Sequence, residues 1–463
     1  MGSEWKELTI EELKAKYKGS IAMGPFGSRI KAENFVREGI PIIKGGNLHG
    51  AVLLDKNFDF LTVEKAEELK SSQAFRRDLV ITHRGTIGQV SIIPENSKFS
   101  KYIVSQSQLK VTLNEDLVDP FFVNYFFQSH IGQHRLLANA SQVGVPAIAK
   151  ASTSVKEILV SIPPLPEQKS IAHILGSLDD KIELNRRMNA TLESMAQALF
   201  KSWFVDFDPV IDNALVTGNP IPEEFSERAE TRRKALIDGT ANRETAKQFP
   251  ASFKLTEELG WIPEGWEVEE LGKLAQNIRE GVDPKTIPEE TPYVGLEHID
   301  KQSFSLSRWG VATDIDSHKS YFSSEDFLFG KLRPYFHKVC QVNSDGICST
   351  DILVIRQRYA EDAGYVGCQI FEPEFVEYAN LRSTGTRMPR ASWKDMAKYE
   401  IACPPQSLRK VFNIQVKHIR EKCAKAVAEN QTLNKLRDTL LPKLISGELR
   451  IPKVEKLVKK ILE

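Results

Sequence analysis

Cysteine is scarce and poorly placed for cross-linking. Cys340, Cys348, Cys368, Cys403 and Cys423 are the only five, all lie in the second half, and no Cys-x-x-Cys occurs. That excludes a disulfide scaffold and points to reduced thiols. His337, Cys340 and Cys348 lie near one another, but their spacing fits no zinc pattern, so no metal site is expected. Long apolar runs are missing as well. Leu79–Thr82 and Ile352–Ile355 are too short to span a bilayer, so no membrane partner is expected. The segment Met1-Gly2-Ser3-Glu4-Trp5 has no basic or apolar export region, and the expected location is the cytoplasm. Neither sign of charge prevails. With 62 Lys and Arg against 62 Asp and Glu, the chain is not a uniformly basic nucleic-acid binder, although a local patch is enough for binding. Missing, too, are a GxxxxGK[ST] phosphate loop and a GxGxxG fingerprint, which argues against nucleotide chemistry in this chain. An apolar fraction of 41% with 27% charged residues excludes a wholly disordered chain.

What the chain does have is a repeat. Pro163-Pro164 recurs 241 residues later as Pro404-Pro405, and Asn189-Ala190-Thr191-Leu192 recurs at the same offset as Asn430-Gln431-Thr432-Leu433. Gly144 and Gly385 share that offset, so no net insertion separates these segments. Upstream the likeness is looser. Trp5-Lys6-Glu7-Leu8 resembles the segment from Trp266 to Leu271, Gly39–Ile43 resembles Glu290–Val294, and Arg77–Val80 resembles Glu325–Leu328.

The better-preserved segments have helical periodicity. Leu175, Leu178, Ile182, Asn185, Asn189, Leu192, Ala196, Leu199 and Trp203 alternate steps of three and four, the spacing of a heptad seam. The same phase in the second copy gives Val416, Ile419, Cys423, Ala426, Asn430, Leu433, Arg437, Leu440 and Leu444. Two such helices, spaced one domain apart, are expected to pair with each other, and polar seam residues such as Asn189 and Asn430 to fix their register.

The parts before each helix read as mixed strand and helix. Strands are expected at 40–43, 79–82, 89–93 and 108–113, with a helix at 120–137. The second half has candidate strands at 292–295, 327–330, 338–342 and 352–356, and a short helix at 374–381. Residues 206–261 carry 7 basic and 11 acidic residues and read as a solvated connector, helical at 226–237. The tail, 450–463, reads as a short amphipathic helix that packs back on the first globular part.

Certain motifs resemble a known family. Ile162-Pro163-Pro164-Leu165-Pro166-Glu167-Gln168-Lys169-Ser170-Ile171-Ala172, running on through Leu178-Asp179-Asp180-Lys181-Ile182, is similar to the central region of bacterial type I restriction–modification specificity subunits. Phe200–Phe207, Leu259–Trp266 and Leu440–Leu449 resemble further segments of that family. The second copy departs from the pattern, reading Pro404-Pro405-Gln406-Ser407 without the Glu-Gln, but the helix phase is kept. The resemblance implies an α+β chain with a pseudo-two-fold internal repeat: two tandem mixed α/β target-recognition domains separated by two long helices that form an antiparallel coiled coil. On this reading residues 1–162 are the first recognition domain and 163–205 the central spacer helix. Residues 206–403 hold the connector (206–261) and the second recognition domain, 404–449 the distal spacer helix and 450–463 the tail. The implied partners are double-stranded DNA, two methyltransferase subunits on the spacer, and restriction–translocase subunits. S-adenosylmethionine, ATP and magnesium are expected on those partners, and no cofactor on this chain.

Direct DNA recognition needs cations for phosphates and polar side chains for base edges. Candidates lie in polar loops beside the strands: Arg29, Lys31, Lys44, Asn47, Arg84, Gln106, Gln108 and Gln142 in the first half, and Lys331, Arg333, Arg387 and Arg390 in the second. Catalytic candidates are weak. Asp119-Pro120-Phe121-Phe122 approaches an amino-methyltransferase motif but lacks its second proline, and reads as a helix start. Asp179 and Asp180 read as solvated charge. The leading expectation is a non-catalytic subunit whose domains each read half of a split target. The alternatives are a coiled-coil scaffold that binds protein only, and a fused nuclease or methyltransferase.

Overall fold

The structure, a computed structural model, describes residues 5–26, 29–141, 144–313, 315, 317–385, 387–449 and 451–462. It divides into two compact units, residues 1–183 with 431–463, and residues 184–430. Each holds one globular part and a section of both long helices.

Those helices run Leu165–Phe204 and Gln406–Ile445, 40 residues each, and both ends differ by the offset of 241 read from the sequence. At about 1.5 Å per residue each is roughly 60 Å long. The strand before each, Leu159–Ile162 and Glu400–Cys403, keeps the same offset and pairs antiparallel with the strand after the tryptophan, Lys6–Thr9 or Glu267–Glu270. The helices pair antiparallel within each unit. In the second, Asn185 donates to Asn430 at 2.9 Å and Asn189 donates to the Cys423 carbonyl at 3.2 Å, so higher numbers on one helix meet lower numbers on the other. In the first, Leu175, Leu178 and Ile182 share a core with Leu433, Leu440 and Leu444. Val416 is buried at the seam, Leu192, Leu199 and Ile419 are half-buried, and Asn430 answers Asn185 rather than its sequence counterpart Asn189. An antiparallel pair cannot place equivalent positions opposite each other except at its midpoint.

Asp179 is not solvated charge. It accepts from Tyr125 Oη at 2.8 Å and from Arg437 Nη1 at 2.7 Å, which ties the globular part of the first unit to both helices. The sequence pattern put it on the outer face of an isolated pair, whereas a third element covers that face.

Each globular part contains the same two sheets. A four-stranded sheet orders Ile21–Met23, Gln108–Val111, Leu79–Thr82 and Val90–Ile92 in the first unit. In the second the order is Ala275–Ile278, Ile352–Gln357, Phe327–Gly330 and Val339–Gln341. A five-stranded sheet contains one parallel pair in each unit, Ile42 beside Ile103 and Tyr293 beside Ile347. This supports the loose match of 39–43 to 290–294.

Two expectations change. The predicted helix 120–137 is two, Pro120–Gln128 and His130–Leu137. Ser129 has extended backbone and caps the second helix by accepting from Gly132 N at 3.2 Å. Asp119 does start the first helix, accepting from Phe122 N at 3.1 Å. The connector is not a solvated linker. Its helix Asp208–Thr217 is buried through Val210 and Ile211, and Phe207, Val210 and Phe249 belong to the core of the second unit. Arg228 and Arg232 on the helix Ser226–Ile237 clasp the buried Asp208 and Asp212 with paired hydrogen bonds of 2.6–2.8 Å. Two of the acidic residues that suggested solvation are buried in these pairs. In the tail, the helix Ile451–Leu462 buries Val454 and Val458 in the first unit's core.

Candidate nucleic-acid interface

At one end of each four-stranded sheet, three loops are stitched together by the same hydrogen bonds. In the first unit His83 N donates to Ser107 O at 3.0 Å, Gly85 N to Pro146 O at 2.8 Å, and Ile148 N to His83 O at 2.9 Å. In the second, Lys331 N donates to Asp351 O at 3.0 Å, Arg333 N to Pro389 O at 2.8 Å, and Ala391 N to Lys331 O at 2.9 Å. Isolated bridges join Arg84 to Ala147 and Leu332 to Arg390 at matching places. The repeat therefore extends to loops whose residue types do not resemble each other.

This frame gathers several predicted residues. In the second unit it brings Lys331, Arg333 and Arg390 together, with the exposed Arg387 in the same loop. Arg390 pairs with Asp351 at 3.3 Å. Gly385 to Pro389 is two residues longer than Gly144 to Pro146, and Arg387 lies in that extension. The following helix is shorter by the same amount, four residues (Trp393–Met396) against six (Ala151–Lys156). These opposite changes restore the offset of 241, so a constant offset concealed a longer loop.

In the first unit Arg84 and Gln106 are exposed within the frame. Burial pushes the His83 pKa below the ordinary value, which makes it a poor cation for phosphate at neutral pH, although the Gln106 carbonyl 3.2 Å from its Nε2 acts in the opposite direction. Two predicted residues are turned inward. Gln108 is buried, donating to Thr82 Oγ1 at 3.2 Å and accepting from Ser105 Oγ. Asn47 is also buried, accepting from Lys44 N at 2.8 Å and donating to the Asn57 carbonyl at 3.0 Å. Both amides hold turns, which corrects the expectation that they face a ligand. A Gln on a strand or an Asn after two glycines carries no mark in the sequence of which way it points. Lys44 is ion-paired to Asp59 and lies over the Phe35 ring, 5.3 Å from its centroid. Arg29 and Lys31 are exposed outside this frame, with Lys31 3.7 Å from Glu33. Gln142 lies outside the described residues.

Sequence reasoning missed the counterpart of Asn47. His298 occupies its place, and its Nδ1 accepts from Gly295 N at 2.9 Å as Asn47 does from Lys44 N. Burial lowers the His298 pKa. His337 is buried against Phe371, and Cys340 and Cys348 are in the core, where burial pushes the Cys348 thiol up to about 12. Among the described residues no group of three His, Cys, Asp or Glu gathers to hold a metal, and no helix is long and apolar enough to cross a membrane. The frame offers cations, amides and hydroxyls, which suit binding and positioning.

Residues 3–194 match a family model described as the type I restriction modification DNA specificity domain. The chain is 27% identical over 401 residues to the HindI specificity subunit of Haemophilus influenzae, covering 79% of this chain and 87% of that one. It is 23% identical to the MjaIX specificity subunit of Methanocaldococcus jannaschii, covering 85% of each. Among solved structures, the S subunit of a type I restriction-modification system from M. genitalium shares the fold. Its TM-score is 0.52 at 15% identity, covering 95% of this chain and 96% of that one.

Proposed function

We propose that this chain is a type I restriction–modification specificity subunit and reads a split DNA sequence with one half assigned to each unit. The observation that carries the reading is the duplicated three-loop frame. Both copies end a sheet of the same order and present exposed cations or amides. Cations hold phosphates and fix register, while amides and guanidinium groups discriminate base edges.

The chain supplies recognition, and the chemistry belongs to partners. Two methyltransferase subunits dock on the helices and bind S-adenosylmethionine, and restriction–translocase subunits bring ATP and magnesium. The first long helix supports docking: Leu184, Met188 and Met195 are solvent-exposed and follow one another at steps of four and seven, so they share a face. Helix length sets the gap between half-sites, because each turn of B-DNA is about 34–36 Å and a helix of about 60 Å is a rigid ruler on that scale.

Co-expression with the methyltransferase subunits, followed by sequencing of methylated DNA, tests this. The expected result is a split motif with a fixed gap, and duplex binding that weakens steeply with salt. Deleting one heptad from both helices is expected to shorten the gap with both half-sites unchanged. An unchanged gap would rule out the ruler, and salt-insensitive binding would rule out DNA reading.

A further inference from the structure

We propose that Arg333 is a specificity-determining residue that reads a guanine in the half-site of the second unit, an inference that rests on the function proposed above. The two frames impose one backbone requirement. At the position whose N–H bonds to the proline carbonyl across the frame, the chain turns left-handed, with φ +87° at Gly85 and +53° at Arg333. Glycine adopts that conformation freely, whereas a side chain there crowds its own backbone. The frame does not require arginine, because Gly85 makes the same 2.8 Å hydrogen bond. Among the described residues the Arg333 guanidinium has no hydrogen bond or ion pair that would hold the fold together, in contrast to Arg390 beside it, which Asp351 holds. A Cβ built on Gly85 meets nothing within 4 Å, so the frame leaves room for a side chain at this position, where Arg333 is half-buried.

A strained arginine with no structural partner, set among Lys331, Arg387 and Arg390, marks a functional constraint. Its planar fork of donors fits O6 and N7 of guanine in the major groove. The two half-sites are then read unequally, since the first unit has glycine at this position and reads nothing from it.

The test is Arg333→Gly in the full chain, co-expressed with the methyltransferase subunits, with methylated DNA sequenced from wild type and variant. The wild type is expected to give a split motif. In the variant one G·C-specified position in one half-site is expected to become degenerate, the other half-site to stay intact, and the midpoint of thermal unfolding to be no lower than that of the wild type. A motif unchanged in both half-sites overturns the proposal, as does a uniform loss of methylation across all sites, which would make Arg333 a phosphate contact. A lower unfolding midpoint would make it a structural residue. No split motif from the wild type would instead overturn the function on which the proposal rests.

Discussion

Three polar connections, buried or half-buried, occupy equivalent places in the two units, and the first unit makes them without cations while the second uses arginine or histidine side chains. At the start of the long helix, Gln168 donates to the Pro163 carbonyl at 2.8 Å and accepts from Asp119 N at 2.8 Å. In the second unit Arg409 donates to the Pro404 carbonyl at 2.6 Å and to Asp362 at 2.7 Å. In the four-stranded sheet, Asp78 accepts from Phe75 N at 2.8 Å and from the Thr112 hydroxyl at 2.5 Å. Asp326 accepts from Ser323 N at 2.8 Å and from both arms of Arg356 at 2.6 Å. The third pair is Asn47 and His298. The fold demands a donor and an acceptor at fixed points and is indifferent to whether charge supplies them, provided nothing buried is left unpaired.

Removing one partner in each unit is expected to have the largest effect. Arg409→Ala strands the fully buried Asp362 and is expected to cost about 3–5 kcal/mol. Gln168→Ala leaves neutral groups unpaired and is expected to cost about 1–3 kcal/mol. Denaturant unfolding of each variant measures both, and equal losses would show that charge is irrelevant there. Converting the second clasp into a neutral one, Arg409→Gln with Asp362→Asn, is expected to cost less than Arg409→Ala alone, because neither charge is stranded. A double-mutant cycle reads that coupling.

The second pair responds to pH. Burial raises the Asp78 pKa, so its protonated form is favoured in the folded state. Its contribution is fully present below the unfolded carboxylate pKa and is lost as pH rises through the raised value. Asp78→Asn is expected to flatten the stability profile of the chain above pH 4, and a profile as steep as that of the wild type would refute the assignment. The smallest effect belongs to His298. With its pKa lowered by burial, its contribution holds above the ordinary histidine value and is lost as pH falls through the lowered one, since a protonated ring cannot accept from Gly295 N. His298→Asn is expected to be close to neutral at pH 8 and to remove this acid sensitivity, as seen in unfolding midpoints between pH 5 and 8.

The long-range plan is legible in the amino-acid pattern. A heptad phase held over four repeats marks both segments as helices, and both ends of the two helices differ by the offset of 241, because side-chain spacing along a helix is a local property. Residue type and alternation located the central strands, and the polar loops beside them that carry Arg84, Lys331, Arg333, Arg387 and Arg390. Which loop residues face outward depends on contacts between distant segments. Asn47 and Gln108 read like base contacts and prove to be turn pins, Asp179 reads as solvated and proves to be a three-way tie, and the acidic connector proves to be packed. The equivalence of Gly85 with Arg333, of Thr112 with Arg356 and of Gln168 with Arg409 is invisible in the letters. Hydrogen-bond geometry constrains where a donor must stand, and many different side chains can stand there.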